Sequence, residues 1–241
     1  MITNIDFIKN CITNNGKDGV VPYRWSHGAT DFHLGDGLVI YSLIQYMRSK
    51  ICVCLGSGGG FIPRIMTQAR KDLHSQKIFE GNDDLNWGDI GVTYIVDAMN
   101  GIGGEVDWSD DKSYYRSNFY PRFIKDTTYN AFYNFFILQD IKIDYLHIDA
   151  GHSYEDVKQD FELYSQILSP NGIISIHDTD SKYEREFIVS EDIKKDFNNW
   201  SGPAELIKKL DTTKWQIFDL FNFGIERTKP SSTGLTLIRK K

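Results

Sequence analysis

Ile51-Cys52-Val53-Cys54-Leu55-Gly56-Ser57-Gly58-Gly59-Gly60-Phe61-Ile62-Pro63 is the stretch on which the reading of this chain turns. Ile51 to Leu55 carries no polar break, the pattern of a parallel strand covered on both faces. Four glycines and one serine follow. Glycine accepts the positive φ of a tight turn and lets a ligand approach the backbone. Phe61, Ile62, Ile65, Met66 and Ala69 then recur at helical spacing. Pro63 falls in the first turn, where its missing N–H costs little. Strand, glycine turn and helix N-terminus together form a cradle whose free N–H groups suit a nucleotide-type ligand. A glycine cluster alone is not specific, and a tight turn with no ligand is the alternative.

Working outward, Leu38, Tyr41, Leu43, Ile44 and Met47 predict a helix leading into this strand. Downstream, 71–91 is polar and reads as a loop insertion, followed by a strand at 92–96 that ends at Asp97. Residues 98–118, with Trp108, Tyr114 and Tyr115, read as a second loop insertion on the surface near the ligand face. A third strand at 122–125 precedes Asp126 and a helix over 128–138. The fourth strand is 143–148. A helix over 153–168 follows, with Ser153 as its cap, Glu155 and Asp156 at its positive end, and Tyr154, Val157, Phe161, Tyr164 and Leu168 as its apolar stripe. Pro170-Asn171-Gly172 predicts a turn before a fifth strand at 173–176. Residues 179–212 read as mostly polar and helical, and 215–221 and 234–239 as two last strands joined by a hairpin connection. Residues 1–34 read as an N-terminal extension in which a short helix (Ile5 to Ile12) precedes a loop whose Tyr23, Trp25 and His27 either line a pocket or, as the simpler reading, pack the extension. The whole chain, 1–241, is expected to form a single domain.

Composition narrows the function. Of 241 residues, 41% are hydrophobic, as in an ordinary globular chain. A net charge of -6, with no long run of Lys or Arg, argues against bulk nucleic-acid binding. No stretch approaches a membrane span, and the N-terminus lacks a basic region followed by an apolar one, so the expected location is cytoplasmic. The cysteines are Cys11, Cys52 and Cys54. The last two share a strand face, cannot easily pair, and are too few for a structural zinc site; they read as free buried thiols.

In an open parallel sheet, ligands sit beyond the carboxyl ends of the strands. The candidates by position are therefore Gly56 to Gly60, Asp97, Asp126, Asp149 with His152, and His177 with Asp178. Asp97 can accept hydrogen bonds from both hydroxyls of a ribose, or cap the next segment. If the fourth and fifth strands are neighbours, Asp149 and Asp178 stand roughly 5 Å apart. Carboxylates that close repel unless a proton or a cation lies between them. Oxygen ligands at a solvent-open site suit Mg²⁺, Mn²⁺ or Ca²⁺, with His177 as a softer ligand. Asp149 as a helix cap and Asp178 as a structural hydrogen-bonding group are the alternatives. His152, one residue before the cap, can face the same cleft and take a proton at neutral pH, or stand as a solvated loop residue.

The order of these blocks carries a family resemblance. Ile148-Asp149-Ala150-Gly151-His152-Ser153-Tyr154-Glu155-Asp156-Val157, with Asp160, is followed by Pro170, Gly172-Ile173-Ile174 and Ile176-His177-Asp178. Together with the glycine turn and Asp97 it resembles class I S-adenosylmethionine-dependent methyltransferases. The branch is that of macrolide-sugar O-methyltransferases and cephalosporin hydroxylase-like proteins. The match covers roughly residues 35–180. It implies an α/β, doubly wound, Rossmann-like seven-stranded sheet, mostly parallel with one antiparallel strand near the C-terminus. It implies S-adenosylmethionine as cofactor, its methionine moiety at Gly56, Ser57, Gly58 and Gly60, its ribose at Asp97 and its adenine near Asp126. It implies Mg²⁺ or another divalent cation at Asp149, Asp178 and His177, although His177 stands where an acid is common, and His152 as the base. Cys54 departs from the family, which often has Asp or Glu there to place the donor's amino-acid end. The expected reaction is metal-assisted O-methylation of a small molecule, with a saccharide as one candidate acceptor and a homodimer as one candidate assembly.

Two rival readings compete. Tyr154 and Lys158 have the spacing of a short-chain NAD(P)-dependent reductase, but Ile141 stands near where that family has a serine, and Tyr154 lies on the apolar stripe. A non-catalytic donor-binding module is kept open by Cys54.

Overall fold

The computed structural model describes residues 27–29, 33–79, 91–101, 108, 120–180, 201–220 and 232–241, with the side chains of 76–79 excepted. Helix α1 (Asp36–Met47) leads into strand β1 (Ile51–Leu55), and helix α2 (Phe61–Phe79) follows the glycine turn. Strands β2 (Val92–Val96) and β3 (Arg122–Ile124) come next. Helix α3 (Thr128–Ala131) runs on as a π-helical segment, Phe132–Ile137, into β4 (Ile143–Ile148). Helix α4 (Tyr154–Tyr164) and a 3₁₀ turn lead to β5 (Leu168–His177). Helix α5 (Gly202–Lys209), β6 (Trp215–Leu220) and β7 (Leu235–Lys240) complete the described elements.

The strands form one seven-stranded sheet in the order β3-β2-β1-β4-β5-β7-β6. The first five are parallel, and β7 pairs antiparallel with both β5 and β6. The expected fold class is therefore the one observed. From β1 the chain builds outward to β2 and β3, then returns past β1 to add β4 and β5. The order reverses between β1 and β4, so a crevice opens there at the carboxyl ends of the strands.

The alternation of β1 explains both layers. Val53 and Leu55 face one core with Val96, Leu146, Ile148 and Ile176, covered by Phe132, Phe136, Val157, Phe161 and Tyr164. Cys52 and Cys54 face the other, against Ile40 and Ile44 of α1 and Phe61, Ile65 and Met66 of α2. Both thiols are free and buried, as expected.

The structure differs from the sequence-based expectation at four places. The 71–91 insertion begins later, because α2 extends to Phe79. Lys71 and Ser75 stand exposed while Leu73 packs against the core, so polarity alone did not mark a loop. The segment expected as a regular helix over 128–138 is mostly π-helical. Its aromatic side chains reach Tyr94 on the sheet, with ring centroids 5.4 Å away for Phe135 and 5.5 Å for Phe136, and tertiary packing overrides local geometry. Pro170-Asn171-Gly172 lies within β5, where register passes from Ile143↔Leu168 to Tyr145↔Ile173. The turn residues are thus accommodated as an irregularity of the strand instead of ending it. Trp108, expected on a surface loop, is fully buried against Ile95 and Phe123. The expected N-terminal helix, Tyr23, Trp25 and most of the 98–118 and 222–233 connections lie outside the described residues.

Phe136 is wholly buried and meets Tyr94, Phe135 and Tyr164 edge-on. Truncation leaves a cavity that a close-packed aromatic cluster cannot refill. Phe136→Ala is expected to cost about 3–5 kcal/mol. The check is a lowered urea midpoint at unchanged slope.

Candidate active site at the sheet reversal

The crevice is built by backbone bonds that tie strand ends together. The N–H of Gly56 donates to Val96 O (2.9 Å), that of Asp149 to Leu55 O (2.9 Å) and that of Asp97 to Ile124 O (3.1 Å). Gly56 has φ of +80°, and a Cβ there would overlap the carbonyl of Asp149. Glycine is thus demanded twice at this junction, by conformation and by the close approach of β4. Gly58 differs: with φ of +49°, a Cβ on it would meet nothing within 4 Å. Its missing side chain leaves backbone open toward the crevice, where a ligand could touch it.

Asp97 closes the glycine turn. Its Oδ2 accepts from Ser57 N (2.9 Å) and Ser57 Oγ (2.7 Å), and its Oδ1 accepts from Met99 N (2.7 Å). A carboxylate offers about four acceptor positions, so little capacity is left over. Asp126 accepts from Thr127 N (2.8 Å) and Asn130 Nδ2 (3.1 Å) at the start of α3. Cys54 donates its thiol hydrogen to Gly56 O (3.0 Å). Burial pushes that thiol far above its ordinary range, and the Asp149 and Asp97 carboxylates push it further. Where the resembled family often places a negative charge, this chain has a neutral group that braces the turn.

The second half of the crevice comes from β4 and β5, which are neighbours as expected. Register places Ile148 opposite Ile176, so Asp149 stands beside His177. His177 Nδ1 lies 3.4 Å from Asp149 Oδ1 and 3.3 Å from Asp178 Oδ1. His152 Nε2 lies 2.9 Å from Asp178 Oδ2 and 3.5 Å from Asp149 Oδ1. Asp149, His152, His177 and Asp178 therefore converge. Ser153 caps α4 by accepting from Asp156 N (3.1 Å), so Asp149 is not the cap. The expectation of a solvent-open pair needs correction: the side chains of Asp149 and Asp178 are 17% and 18% exposed, and that of His177 only 2%. The C-terminal segment entering β7 covers them, with Thr233 Oγ1 donating to Asp178 Oδ1. Asp178 adopts φ of +57°, a strained conformation for a non-glycine residue that is held by these contacts.

The charges compensate one another. Burial alone would raise the Asp149 and Asp178 carboxyls, but His177, followed by His152, holds both well below the usual range. Burial would lower His152, yet hydrogen bonds to the Asp149 and Asp178 carboxylates push it up to about 10. His177 is raised in the same way, against its own burial. At neutral pH, and with nothing else between the carboxylates, His152 therefore holds its proton. A free base near 6.5, as the sequence suggested, requires another cation to take over the carboxylates.

Three residues near this cluster escaped the sequence reading as site residues. His27, for which the sequence favours packing of the N-terminal extension over lining a pocket, stacks its ring 4.0 Å from that of His177 and is buried. Asp36, the first residue of α1, accepts from Ser232 Oγ (2.5 Å) and lies 4.0 Å from His177 Nε2. Burial raises its carboxyl to about 6. Thr233 was read as part of a hairpin connection. No local pattern marks any of the three, since each reaches the site from a segment far away in sequence. Tyr154 and Lys158 lie elsewhere: Tyr154 packs on the core side of α4, with Lys209 Nζ 4.1 Å above its ring. Both residues find partners there without a nicotinamide cofactor.

Comparison with known proteins bears on the family and the fold. The methyltransferase domain family matches residues 53–179, slightly over half of the chain. An O-methyltransferase from Bacillus cereus, solved in complex with SAH, is 16% identical with a TM-score of 0.55, covering 86% of this chain and 80% of that one. The O-methyltransferase TomG from Streptomyces achromogenes, involved in tomaymycin synthesis and solved with SAM, is 10% identical with a TM-score of 0.55, covering 86% and 79%. The SAH-bound methyltransferase PaMTH1 of Podospora anserina is 15% identical with a TM-score of 0.54, covering 86% and 78%. At these identities the likeness is one of fold. A curated Sinorhizobium fredii protein, y4gI, is 44% identical over 43 residues, a match spanning 18% of this chain and 5% of the relative's length. Among the described residues, no helix is long and apolar enough to cross a membrane.

The raised His152 gives a signed pH dependence. A histidine whose folded value is about 10 contributes stability that is complete below its unfolded value near 6.5 and lost as pH rises through about 10. In chelator-treated protein, His152→Gln is expected to flatten the fall in stability between about pH 6.5 and 10. Thermal melts across that range are the check, and parallel curves for the two proteins would contradict the assignment.

Proposed function

This chain belongs to the methyltransferase domain family, and from that premise we propose that it is an S-adenosylmethionine-dependent O-methyltransferase acting on a small-molecule hydroxyl with the help of a divalent cation. The observation that carries the reading is the meeting, at one sheet reversal, of an open glycine turn with a cluster of two carboxylates and two imidazoles.

The residues present fit both groups. The backbone of Gly56, Ser57, Gly58 and Gly60 would receive the methionine end of the donor, Asp97 the ribose and Asp126 the adenine side. Because Cys54 supplies no charge, the donor's ammonium group would draw on the nearby carboxylates instead. Asp149 and Asp178 would hold the cation, with His177 beside them; their oxygens converge closely enough for a shared ion. When bound, the donor supplies an electrophilic methyl group and the cation lowers the pKa of an acceptor hydroxyl.

The chain's own work is alignment and proton removal. The glycine turn and Asp97 fix one reactant, and the ends of β4 and β5 fix the other, across a crevice whose walls are laced by backbone bonds. His152 would take the acceptor's proton at Nε2, the atom that faces Asp149 and Asp178. Its proton affinity falls toward the ordinary value as those carboxylates are neutralised, so base strength is coupled to site occupancy. The partly exposed carboxylates of Asp149 and Asp178 suit a compact polyhydroxylated acceptor, and a saccharide is the class to screen first.

Calorimetric titration with S-adenosylmethionine, with and without Mg²⁺, tests the donor site. Asp97→Ala is expected to weaken donor binding by about tenfold or more, through lost ribose contacts and a loosened glycine turn. With an acceptor in hand, His152→Gln should cut turnover by about 10²–10⁴-fold while donor affinity stays unchanged. Absence of donor binding, with NADPH bound instead, would overturn the proposal. Tight donor binding with no product from any acceptor would favour a binding module.

A further inference from the structure

Behind the two carboxylates lies an arrangement that methyl transfer does not require. His27 is 5% exposed, although it belongs to a segment outside the main strands. It is held by an isolated bridge to Ser232, and its carbonyl accepts from Asp36 N (2.8 Å). Its Nε2 lies 3.9 Å from Asp149 Oδ2. Its Nδ1 is buried with no hydrogen-bond partner among the described residues. An imidazole brought so deliberately into the interior, with one nitrogen aimed at a carboxylate and the other unanswered, calls for a ligand.

His177 points to the same conclusion. Thr233 Oγ1 donates to Asp178, so its oxygen is left to accept from His177 Nε2, 3.1 Å away. Asp36 Oδ2 lies 4.0 Å from the same nitrogen. A proton fixed at Nε2 turns Nδ1 toward Asp149 Oδ1 at 3.4 Å and Asp178 Oδ1 at 3.3 Å. Nδ1 therefore meets two carboxylate oxygens, a place that either its own proton or, in exchange for that proton, a metal ion can occupy. Metal-bound histidines characteristically give their second N–H to a hydroxyl or carboxylate, the role Thr233 and Asp36 can fill here.

We propose that His27, His177 and Asp149 form an inner, imidazole-rich site for one divalent transition-metal ion, with Zn²⁺ as the reference case. One ligand atom from each of the three lies within 4.8 Å of the other two. Ligands about 2.1 Å from a tetrahedral metal are about 3.4 Å apart, the order of the separations seen here. Two imidazoles and one carboxylate select a borderline ion over Mg²⁺, which prefers oxygen ligands and retains several waters. His147 stands behind the pair, its ring centroid 6.3 Å from that of His27, with Nδ1 held 2.9 Å from Ser175 Oγ. The site shares Asp149 and His177 with the methyl-transfer reading and does not depend on it.

The test uses the full chain after chelator treatment. Calorimetry with ZnCl₂ should show one Zn²⁺ per chain, bound about 100-fold or more tightly than Mg²⁺. His27→Ala should weaken Zn²⁺ binding by about tenfold or more and leave Mg²⁺ binding unchanged. Zinc-edge X-ray absorption should count two imidazole ligands in the wild type and still two in His152→Ala, a readout that stands even where His27→Ala fails to fold. Zn²⁺ bound no more tightly than Mg²⁺, affinity unchanged in folded His27→Ala, or fewer than two imidazoles in His152→Ala would each overturn the site and leave a purely proton-bridged cluster. S-adenosylmethionine titrated into the same samples separates the two proposals. Donor binding without zinc preference removes only the metal site, and zinc binding without donor binding removes only the methyl-transfer reading.

Discussion

The close approach of Gly56 to Asp149 governs this structure. β1 and β4 adjoin where the strand order reverses, and the bond from Asp149 N to Leu55 O carries the pairing to the very end of β1. A side chain at Gly56 would meet the Asp149 carbonyl and force the two strand ends apart. That contact fixes the glycine turn on one side of the crevice and the first carboxylate on the other. Every distance in the site is measured from it. The far end of the same strands is anchored by Asp144, whose Oδ2 accepts from the N–H groups of Lys50 and Ile51 (2.9 Å each) and whose Oδ1 accepts from Ser169 Oγ (2.9 Å). The strands around the reversal are therefore pinned at both ends.

A rigid crevice explains how so much charge can be concentrated in it. Asp149 and Asp178 are partly buried beside His152 and His177, and each group is held in its charged form by its neighbours. Removing any one leaves an uncompensated charge in a poorly solvated place, a larger loss than the pair's own attraction suggests. The strained backbone of Asp178 belongs to the same economy. Thr233 and the entry to β7 hold it, so the C-terminal hairpin closes the sheet and also sets a site residue. Gly234, with φ of +108°, lets that segment pass tightly against Asp180.

The two layers of the molecule contribute unequally to function. The aromatic layer of α3, its π-helical continuation and α4 supplies packing, and its one addition to the site is the orientation of His152 through the Ser153 cap. The layer of α1 and α2 packs against the strand that leads into the glycine turn; His27, ahead of α1, lies near Asp149, and Asp36, the first residue of α1, lies near His177. Chemistry is thereby placed where the turn, the strand ends, His27 and Asp36 meet.

What the sequence determined by itself was whatever is encoded within a few residues. An unbroken apolar run, glycines after it, an Asp or His at a strand end and Ser153 ahead of an apolar stripe each state their role locally. From them follow the strands, the glycine turn and the strand-end places of Asp149, His152, His177 and Asp178, while the strand order that makes β4 and β5 neighbours and brings these residues together is a tertiary fact. Tertiary structure decided what depends on packing between distant segments. Residues 71–79 continue α2, with Leu73 packed against the core, and the π-helical 132–137 sets Phe135 and Phe136 against Tyr94. His27, Asp36 and Thr233 joined the site by contacts such as that of Asp36 with Ser232, across 196 positions of chain. Periodicity cannot carry information over that span. The protonation of His152 was likewise invisible in sequence, because it is set by how closely two carboxylates are brought to one nitrogen.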